Sequence, residues 1–260
     1  MRDVTKTCVL FVHGGGEGAH EEDERLAESL RYALGAGYEV RSPKMPNEGA
    51  PEYGAWRDRI SEELADMDGE AVLVGHSLGA SVVLKYLSEE GPPRPISGVF
   101  LVATPFWDAE DWKVDEYALR EDFASKLPEG VPTFFYHGRG DEVVPFEHLA
   151  LYAERLPRAF FREFENLGHQ FDDDLSEVAR DIDGLRRGSD LPPGIGRPAH
   201  RALVGAGYRR LEQLAGRDGA EISNLHGVGP KALGLLRSAM AARGLSFAGE
   251  KDNPRHGEGA

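Results

Sequence analysis

The chain has 260 residues, of which 40% are apolar and 29% charged, a composition typical of globular proteins. No apolar stretch approaches the roughly eighteen residues of a membrane span, so we expect no membrane association. The net charge of −15 argues against binding of the whole chain to nucleic acid. The charge is unevenly distributed along the chain, because residues 191–260 hold ten Lys or Arg and six Asp or Glu, a balance of +4. The single cysteine and the lack of an evident signal peptide predict a cytoplasmic protein.

Six short apolar runs predict the strands of a sheet that is buried on both faces. They lie at residues 7–12, 38–41, 71–75, 99–103, 133–136 and 160–164. Helical periodicity occurs between them, at residues 24–34, 53–67, 81–89 and 146–156. Strands that alternate with helices indicate an α/β fold with a mostly parallel sheet flanked by helices. In such sheets ligands bind at the carboxyl ends of the strands.

The pattern changes near residue 185, where breaker residues predict a linker at residues 187–193. Only helical segments separated by glycines follow, at residues 199–206, 211–215, 221–225 and 230–243. We therefore expect an α/β domain over residues 1–186, a small all-α domain over residues 194–248, and a flexible tail over residues 249–260.

One serine has the setting of a catalytic nucleophile. The predicted strand at residues 71–75 runs into a G-x-S-x-G pentapeptide at residues 75–79, and a helix with small residues follows. A strand–turn–helix of this kind holds the serine, here Ser77, in a strained backbone conformation with its hydroxyl exposed. Gly75 and Gly79 omit the Cβ atoms that would block so sharp a turn. A packing turn with an incidental serine is the alternative, which the flanking strand and helix disfavour.

A serine hydroxyl needs a base, and the base needs an orienting acid. Asp141 lies in the loop after the strand at residues 133–136, and His169 lies in the loop after the strand at residues 160–164. The order Ser, Asp, His along the chain is the order that strand-end triads on this type of sheet use. We therefore predict Ser77 as the nucleophile, Asp141 as the acid and His169 as the base.

Neighbouring residues offer alternatives for these roles. Glu142 is adjacent to the predicted acid but is expected to point elsewhere on the loop. His137 is expected to be structural, because it sits nearer its strand than an acid–base pair needs. His76 is expected to pack beside the serine. The three aspartates after the predicted base are typical of a solvated helix start; they are Asp172, Asp173 and Asp174.

Acyl transfer also needs backbone N–H groups to stabilise the oxyanion. Leu78, which directly follows the predicted nucleophile, supplies one of them. The glycine run after the first strand supplies the other; we favour Gly15, with Gly14 and Gly16 as alternatives. The run lacks the patterns of nucleotide-binding loops, so a phosphate site is not expected there. We predict no cofactor and no metal.

Residues 5–182 resemble the α/β-hydrolase superfamily. The resemblance rests on four motifs, at residues 13–15, 75–79, 138–145 and 168–169. The chain starts at the strand before the His-Gly turn, and the segment at residues 105–132, where many relatives insert a lid, is short. It therefore looks like the small branch of serine hydrolases typified by retinoblastoma-binding protein nine. The resemblance implies hydrolysis of a small-molecule ester, thioester or amide through an acyl-enzyme.

Three aromatic residues after a predicted strand end have two interpretations. Phe106, Trp107 and Trp112 either line the acyl pocket or simply pack a short helical cap. The main competitor of the hydrolase prediction is a catalytically idle scaffold that binds a partner. A complete Ser-Asp-His set disfavours that alternative.

The second predicted domain resembles two helical modules. Residues 222–240 resemble a helix-hairpin-helix element. Two other segments, residues 191–199 and 207–214, resemble the C-terminal domain of the bacterial RNA polymerase α subunit. Gly227 and Gly229 permit a hairpin whose backbone N–H groups would hold a phosphate, and Lys231 adds positive charge, as does Arg237. We expect a weak DNA or protein partner for residues 194–248, or a role in packing alone.

Overall fold

A computed structural model describes residues 6–109, 112–186 and 191–249 of the chain. It divides into two compact units, Met1–Asp183 and Gly184–Ala260. Residues 187–190 of the expected linker and residues 250–260 of the expected tail lie outside the described residues. Within the described part of the chain, no helix is both long enough and apolar enough to cross a membrane.

The first unit is built on a six-stranded sheet in which all neighbouring strands are parallel. The strands are β1 (Thr7–Val12), β2 (Tyr38–Arg41), β3 (Ala71–His76), β4 (Ile96–Val102), β5 (Thr133–Gly138) and β6 (Phe160–Phe164). Both faces of β1 and β3 are buried, as their unbroken apolar runs require. The predicted α/β fold with a parallel sheet is therefore confirmed.

The strand order β2-β1-β3-β4-β5-β6 reverses direction at β1. The chain passes from β1 to β2 on one side and then returns to β3 on the other, so the carboxyl ends of β1 and β3 form a topological switch point. The register brings the strand ends level, with Val12 opposite Gly75 and His76 opposite Val102. The loops after β1 and β3 therefore emerge side by side.

Helices cover the sheet of the first unit. They are α1 (Ala19–Leu34), α2 (Tyr53–Ala65), α3 (Leu78–Glu89), α4 (Phe123–Lys126), α5 (Glu147–Arg155) and α6 (Ser176–Arg186). Apolar side chains of α2, α3 and α5 share one core cluster with those of the strands. Helix α3 is the most deeply placed, because every residue from Leu78 to Leu87 is buried. The segment that starts helix α3 is therefore held rigidly against the sheet.

The three aspartates predicted to start a helix lie just before one. A 3-10 turn spans Phe171–Asp173, and Asp172 has a left-handed φ of 51° that a regular helix cannot contain. Helix α6 begins only at Ser176, whose N–H donates to the carboxylate of Asp174 at 2.8 Å. The helix start expected at the three aspartates therefore holds at Asp174, whose carboxylate binds the first residue of α6, whereas Asp172 and Asp173 lie in the preceding 3-10 turn.

In its described part the second unit consists of helices and turns, with one isolated bridge between Asp218 and Ala248. It contains α7 (Arg197–Gly205), α8 (Leu211–Leu214), α9 (Gly219–Ser223) and α10 (Pro230–Ala241), preceded by a 3-10 turn at Pro193–Ile195. Each helix contributes buried apolar side chains, among them Leu203, Leu211, Ile222, Leu236 and Met240. These side chains give the unit a small apolar core of its own.

Candidate active site

Ser77 occupies the turn between β3 and α3 with φ 51° and ψ −123°, a backbone conformation that side chains rarely adopt. Two backbone hydrogen bonds fix this turn. The Ser77 N–H donates to the carbonyl oxygen of Val102 at 2.9 Å, and the Ala80 N–H donates to that of Ser77 at 3.0 Å. The surrounding backbone therefore imposes the strained conformation, as expected for strain at a functional site.

Two glycines allow the turn to lie this close to its neighbours. A Cβ atom on Gly75 would lie 2.5 Å from the Cα of Ala80 and 2.7 Å from its nitrogen. A Cβ atom on Gly79 would overlap the carbonyl oxygens of Val12 and His13. Neither overlap can be relieved by a side-chain rotation, because the opposing atoms belong to the backbone. Helix α3 thus packs directly on the ends of β1 and β3.

The loops after β5 and β6 bring Asp141 and His169 into contact. The Nδ1 of His169 lies 3.0 Å from both carboxylate oxygens of Asp141. Since a carboxylate only accepts, Nδ1 carries the proton, and the Nε2 of the neutral ring is free to act as a base. Glu142 contacts the same residue differently, because its carboxylate accepts only the backbone N–H of His169 at 3.3 Å.

Asp141 is held in its ionised state. Its side chain is fully buried, and its Oδ1 accepts the backbone N–H groups of Val143 and Val144 at 2.9 and 2.8 Å. His137 lies on the other side, with Nε2 at 3.3 Å from Oδ2. Burial acts to raise the pKa of Asp141, but hydrogen bonds from His137, His169 and Val144 outweigh it and hold the pKa below its ordinary value.

His76 connects the serine turn to the loop of His169. Its ring centroid lies 4.8 Å from that of His169, and its Nε2 lies 3.0 Å from the carbonyl oxygen of the same residue. The Oγ of Ser77, which follows His76, makes no hydrogen bond to any residue in the described ranges. Catalytic hydrogen bonds often tighten only when substrate binds, so this geometry is compatible with a nucleophile awaiting substrate.

The glycine loop after β1 lies against the serine turn. A Cβ atom on Gly14 would be 3.4 Å from the Cβ of Ser77, and one on Gly15 would be 2.5 Å from the Cδ2 of Leu78. The N–H of Gly14 is occupied by a carboxylate at 2.7 Å, and that of Gly16 by a carbonyl oxygen at 2.7 Å. The N–H groups of Gly15 and Leu78 have no acceptor among the described residues. Both are therefore available to a ligand.

His13 orients this free N–H group. Its Nε2 accepts the backbone N–H of Met45 at 2.9 Å, so its proton is on Nδ1, which donates to the carbonyl oxygen of Gly14 at 2.7 Å. Burial lowers the pKa of His13, which keeps the ring neutral. Because a trans peptide points its C=O and N–H in opposite directions, holding the Gly14 carbonyl also fixes the direction of the Gly15 N–H.

The aromatic residues after β4 differ in their surroundings. Phe106 is 5% exposed and packs edge-on against Tyr152, as a core residue does. Trp107 and Trp112 are half-buried and contact each other with ring centroids 5.3 Å apart. The Nε1 of Trp107 is buried without a partner among the described residues. The two tryptophans therefore differ from Phe106 in being partly exposed to solvent.

Asp23 is a buried member of the site that the sequence did not reveal. It projects from α1, is 1% exposed, and its Oδ2 accepts the N–H of Gly14 and contacts the Nδ1 of His76, both at 2.7 Å. One signal could have identified it. Asp23 shares the buried face of α1 with Leu26, Ala27 and Leu30, and a carboxylate on an apolar helix face needs a partner.

The described residues contain no group of three or more His, Cys, Asp or Glu side chains placed to hold a metal ion. The candidate site combines a strained serine, an Asp–His pair and two free N–H groups, an arrangement that fits acyl transfer.

Comparison with known proteins identifies the family of the chain. The serine hydrolase family profile matches residues 22–174. A search of curated proteins found no significant match. Solved structures with the same fold include the ydeN product of B. subtilis, with 19% identity, a TM-score of 0.53, and coverage of 70% of this chain and 100% of that one.

Two further structures cover a similar share of this chain. Est1E from Butyrivibrio proteoclasticus has 17% identity and a TM-score of 0.54, with 72% of this chain and 89% of that one covered. Acyl-protein thioesterase 2 from Zea mays has 17% identity and a TM-score of 0.52, with 71% and 95% covered. At these identities the structures show a common fold. The family match covers more than half of the chain, and the chain therefore belongs to the serine hydrolase family.

Proposed function

We propose that the protein is a carboxylesterase-like hydrolase that cleaves small esters or thioesters through Ser77, His169 and Asp141. The observation that carries the proposal is the contact of the His169 Nδ1 with both oxygens of Asp141, on loops adjacent to the strained serine turn. This contact leaves the opposite ring nitrogen unprotonated, which is the state a general base needs. A catalytically idle scaffold has no use for it.

The mechanism follows from the protonation states. His169 takes the hydroxyl proton through Nε2 as the Oγ of Ser77 attacks the substrate carbonyl, and Asp141 stabilises the imidazolium that forms. The proton then passes to the leaving alcohol or thiol, which departs and leaves an acyl-serine. A water molecule, deprotonated by the same ring, attacks the acyl carbonyl and releases the acid.

We assign the oxyanion hole to the N–H groups of Gly15 and Leu78. The flanking amides of Gly14 and Gly16 are occupied, which favours Gly15 among the three glycines. Free, fixed donors of this kind often supply the largest part of the stabilisation of the transition state.

The substrate class is proposed from the surroundings of the site. Two structures of the same fold are named an esterase and an acyl-protein thioesterase, which supports ester or thioester bonds. In the described part of residues 103–132, α4 is the one helix, which supports the proposal that the protein is lidless and belongs to the small branch typified by retinoblastoma-binding protein nine. Trp107 and Trp112 are proposed to contact the acyl group, with Phe106 packed behind them. We propose a cytoplasmic location, which the single cysteine supports.

Burst kinetics with p-nitrophenyl acetate test the proposal. The wild-type protein should release one equivalent of nitrophenolate rapidly if deacylation is slow, and should turn over in any case. Ser77→Ala should lose both the burst and the turnover. Ser88→Ala is the matched control, because Ser88 lies on the same helix α3 and donates only to the carbonyl oxygen of Lys85. Equal turnover by wild type and Ser77→Ala would refute the assignment.

We also propose that the second unit contacts a nucleic-acid phosphate through Gly227, Gly229 and Lys231. Gly227 has a left-handed φ of 103°, and Gly229 precedes the first residue of α10. The N–H groups of all three residues lack an acceptor among the described residues, which suits a phosphate at a helix start. Gel shift of the full chain with duplex DNA at low salt tests this. Lys231→Glu should abolish the shift, and no shift by the wild type would exclude the proposal.

A further inference from the structure

Behind the serine turn lies a second Asp–His pair, Asp23 and His76, which is not part of the proposed triad. Both side chains are 1% exposed. The pair joins four parts of the first unit, because Asp23 lies on α1, His76 ends β3, Gly14 follows β1 and His169 follows β6. The serine turn, the loop after β1 and the loop of His169 are thus tied to this pair or adjacent to it.

The contacts of His76 define its protonation. Its Nδ1 lies 2.7 Å from the Oδ2 of Asp23, and its Nε2 lies 3.0 Å from the carbonyl oxygen of His169. A carbonyl oxygen and an ionised carboxylate only accept hydrogen bonds. Asp23 is ionised, because His76, the Gly14 N–H and the side chain of Gln170 lower its pKa. Both ring nitrogens of His76 therefore donate, and the ring is an imidazolium.

The electrostatic environment agrees with this geometry. Burial acts to lower the pKa of His76, but the charge and hydrogen bond of Asp23, the carbonyl of His169 and the charge of Asp141 raise it above its ordinary value. Burial acts to raise the pKa of Asp23, but His76, the Gly14 N–H and the side chain of Gln170 lower it. The charge of Asp23 also acts on His13, whose pKa it raises against the larger lowering effect of burial.

We infer that Asp23 and His76 are positioning residues of the hydrolase, an ionised pair that holds the oxyanion loop and the loop of the base in register with the serine. Asp23 acts through the N–H of Gly14, and His76 acts through the carbonyl oxygen of His169. The inference rests on the proposed function for its catalytic consequence. The ionisation of the pair does not depend on that function.

The first test is nitrogen NMR of the histidine rings in the full-length wild-type protein, which contains 9 histidines. The ring of His76, assigned by its loss in His76→Gln, should show two protonated nitrogens at neutral pH, whereas a free histidine is mostly neutral there. A neutral His76 ring at pH 7 would overturn the inference. This readout needs no activity, so it stays decisive even if Ser77 proves not to be a nucleophile.

The second test compares Asp23→Asn with Asp181→Asn in ester hydrolysis. Asp23→Asn should lower kcat on the order of 10²-fold with KM changed less than about threefold, because the reacting groups are displaced while the acyl contacts remain. Asp181→Asn removes another buried carboxylate, bonded to Tyr136 and Arg162, and should leave kcat unchanged.

Asp23→Asn combined with His76→Gln covers the case in which the single variant does not fold. The amide pair keeps hydrogen-bonding groups but removes both buried charges, so the chain should remain folded while kcat stays low. Wild-type kcat in a folded variant would show that the pair is structural only, and would overturn the inference. If the wild-type protein shows no ester hydrolysis, that result would instead count against the proposed function.

Discussion

Replacement of Gly75 by alanine tests the idea that close packing of α3 on β3 sets the position of Ser77. The new Cβ would lie 2.5 Å from the Cα of Ala80, 2.7 Å from its nitrogen and 3.0 Å from the carbonyl carbon of Gly79. Non-bonded carbon atoms normally approach to about 3.5–4.0 Å, so the overlap is about 1 Å. Because all three atoms belong to the backbone, the turn itself must open.

The expected cost follows from that overlap. Overpacking that forces backbone shifts costs typically about 1–3 kcal/mol, and we expect the upper part of this range. For a unit of this size, 3 kcal/mol corresponds to a fall in Tm of about 6–12 °C. Opening the turn displaces Ser77 from the proposed base and oxyanion donors, and a displacement of about 1 Å lowers kcat on the order of 10²-fold.

Tryptophan fluorescence measures the loss of stability in the first unit, which contains Gly75. The chain has 3 tryptophans, at positions 56, 107 and 112, and all lie within Met1–Asp183. Gly54→Ala is the matched control, because Gly54 is in helix α2 and a Cβ there would meet no atom within 4 Å. It should be neutral or stabilising by up to about 1 kcal/mol, with unchanged kcat. If Gly75→Ala unfolds and turns over like this control, the close packing does not position the serine.

Three further variants each test a single set of contacts. Asp141→Asn should lower kcat about 10⁴-fold, measured by ester hydrolysis, because the ring of the proposed base loses its fixed tautomer. The pKa of Asp141 is lowered from 3.8. The free energy of unfolding that this variant loses should therefore be largest above about pH 3.8 and should vanish as the pH falls through the pKa of the folded state. Urea unfolding from neutral to acid pH measures this loss. The pKa of His76 is raised from 6.5, so His76→Gln should cost most stability below about pH 6.5 and less as the pH rises through the folded pKa, in the same assay. Lys85 donates to two carbonyl oxygens of the segment after β4 at 2.9 Å, and Lys85→Met should therefore destabilise by about 1–3 kcal/mol and raise KM more for bulky acyl groups than for acetate. A loss of unfolding free energy in Asp141→Asn that does not change with pH would contradict the first contact. A KM change in Lys85→Met that does not depend on acyl size would contradict the last.

The strands were predictable because they are buried on both faces. The predicted ranges of β1, β2 and β6 agree with the structure at both ends, and the others differ by one to three residues at an end. Helix α6 was not predicted. Its buried residues Val178, Ala179 and Ile182 alternate with acidic and basic ones, and the segment lies between a run of aspartates and breaker residues that obscures a short amphipathic helix.

The site was only partly predictable for a different reason. Chain order and strand-end position are local features, and they sufficed to select Ser77, Asp141 and His169 as candidates. The partnership of Asp23 with His76 spans 53 positions in the chain, and that of His76 with the loop of His169 spans 93. No spacing rule reports such pairs, because the tertiary packing of α1 against the sheet determines them. The choice among the three glycines likewise needed the hydrogen bonds of their amides.

The central claim is that Ser77 is the nucleophile, and covalent labelling tests it most directly. The full-length protein is treated with a fluorophosphonate, digested, and the adduct is located by mass spectrometry. We predict one adduct, on Ser77, which forms slowly in Asp141→Asn and is absent from Ser77→Ala. An unlabelled wild-type protein, or an adduct on another residue, would contradict the account.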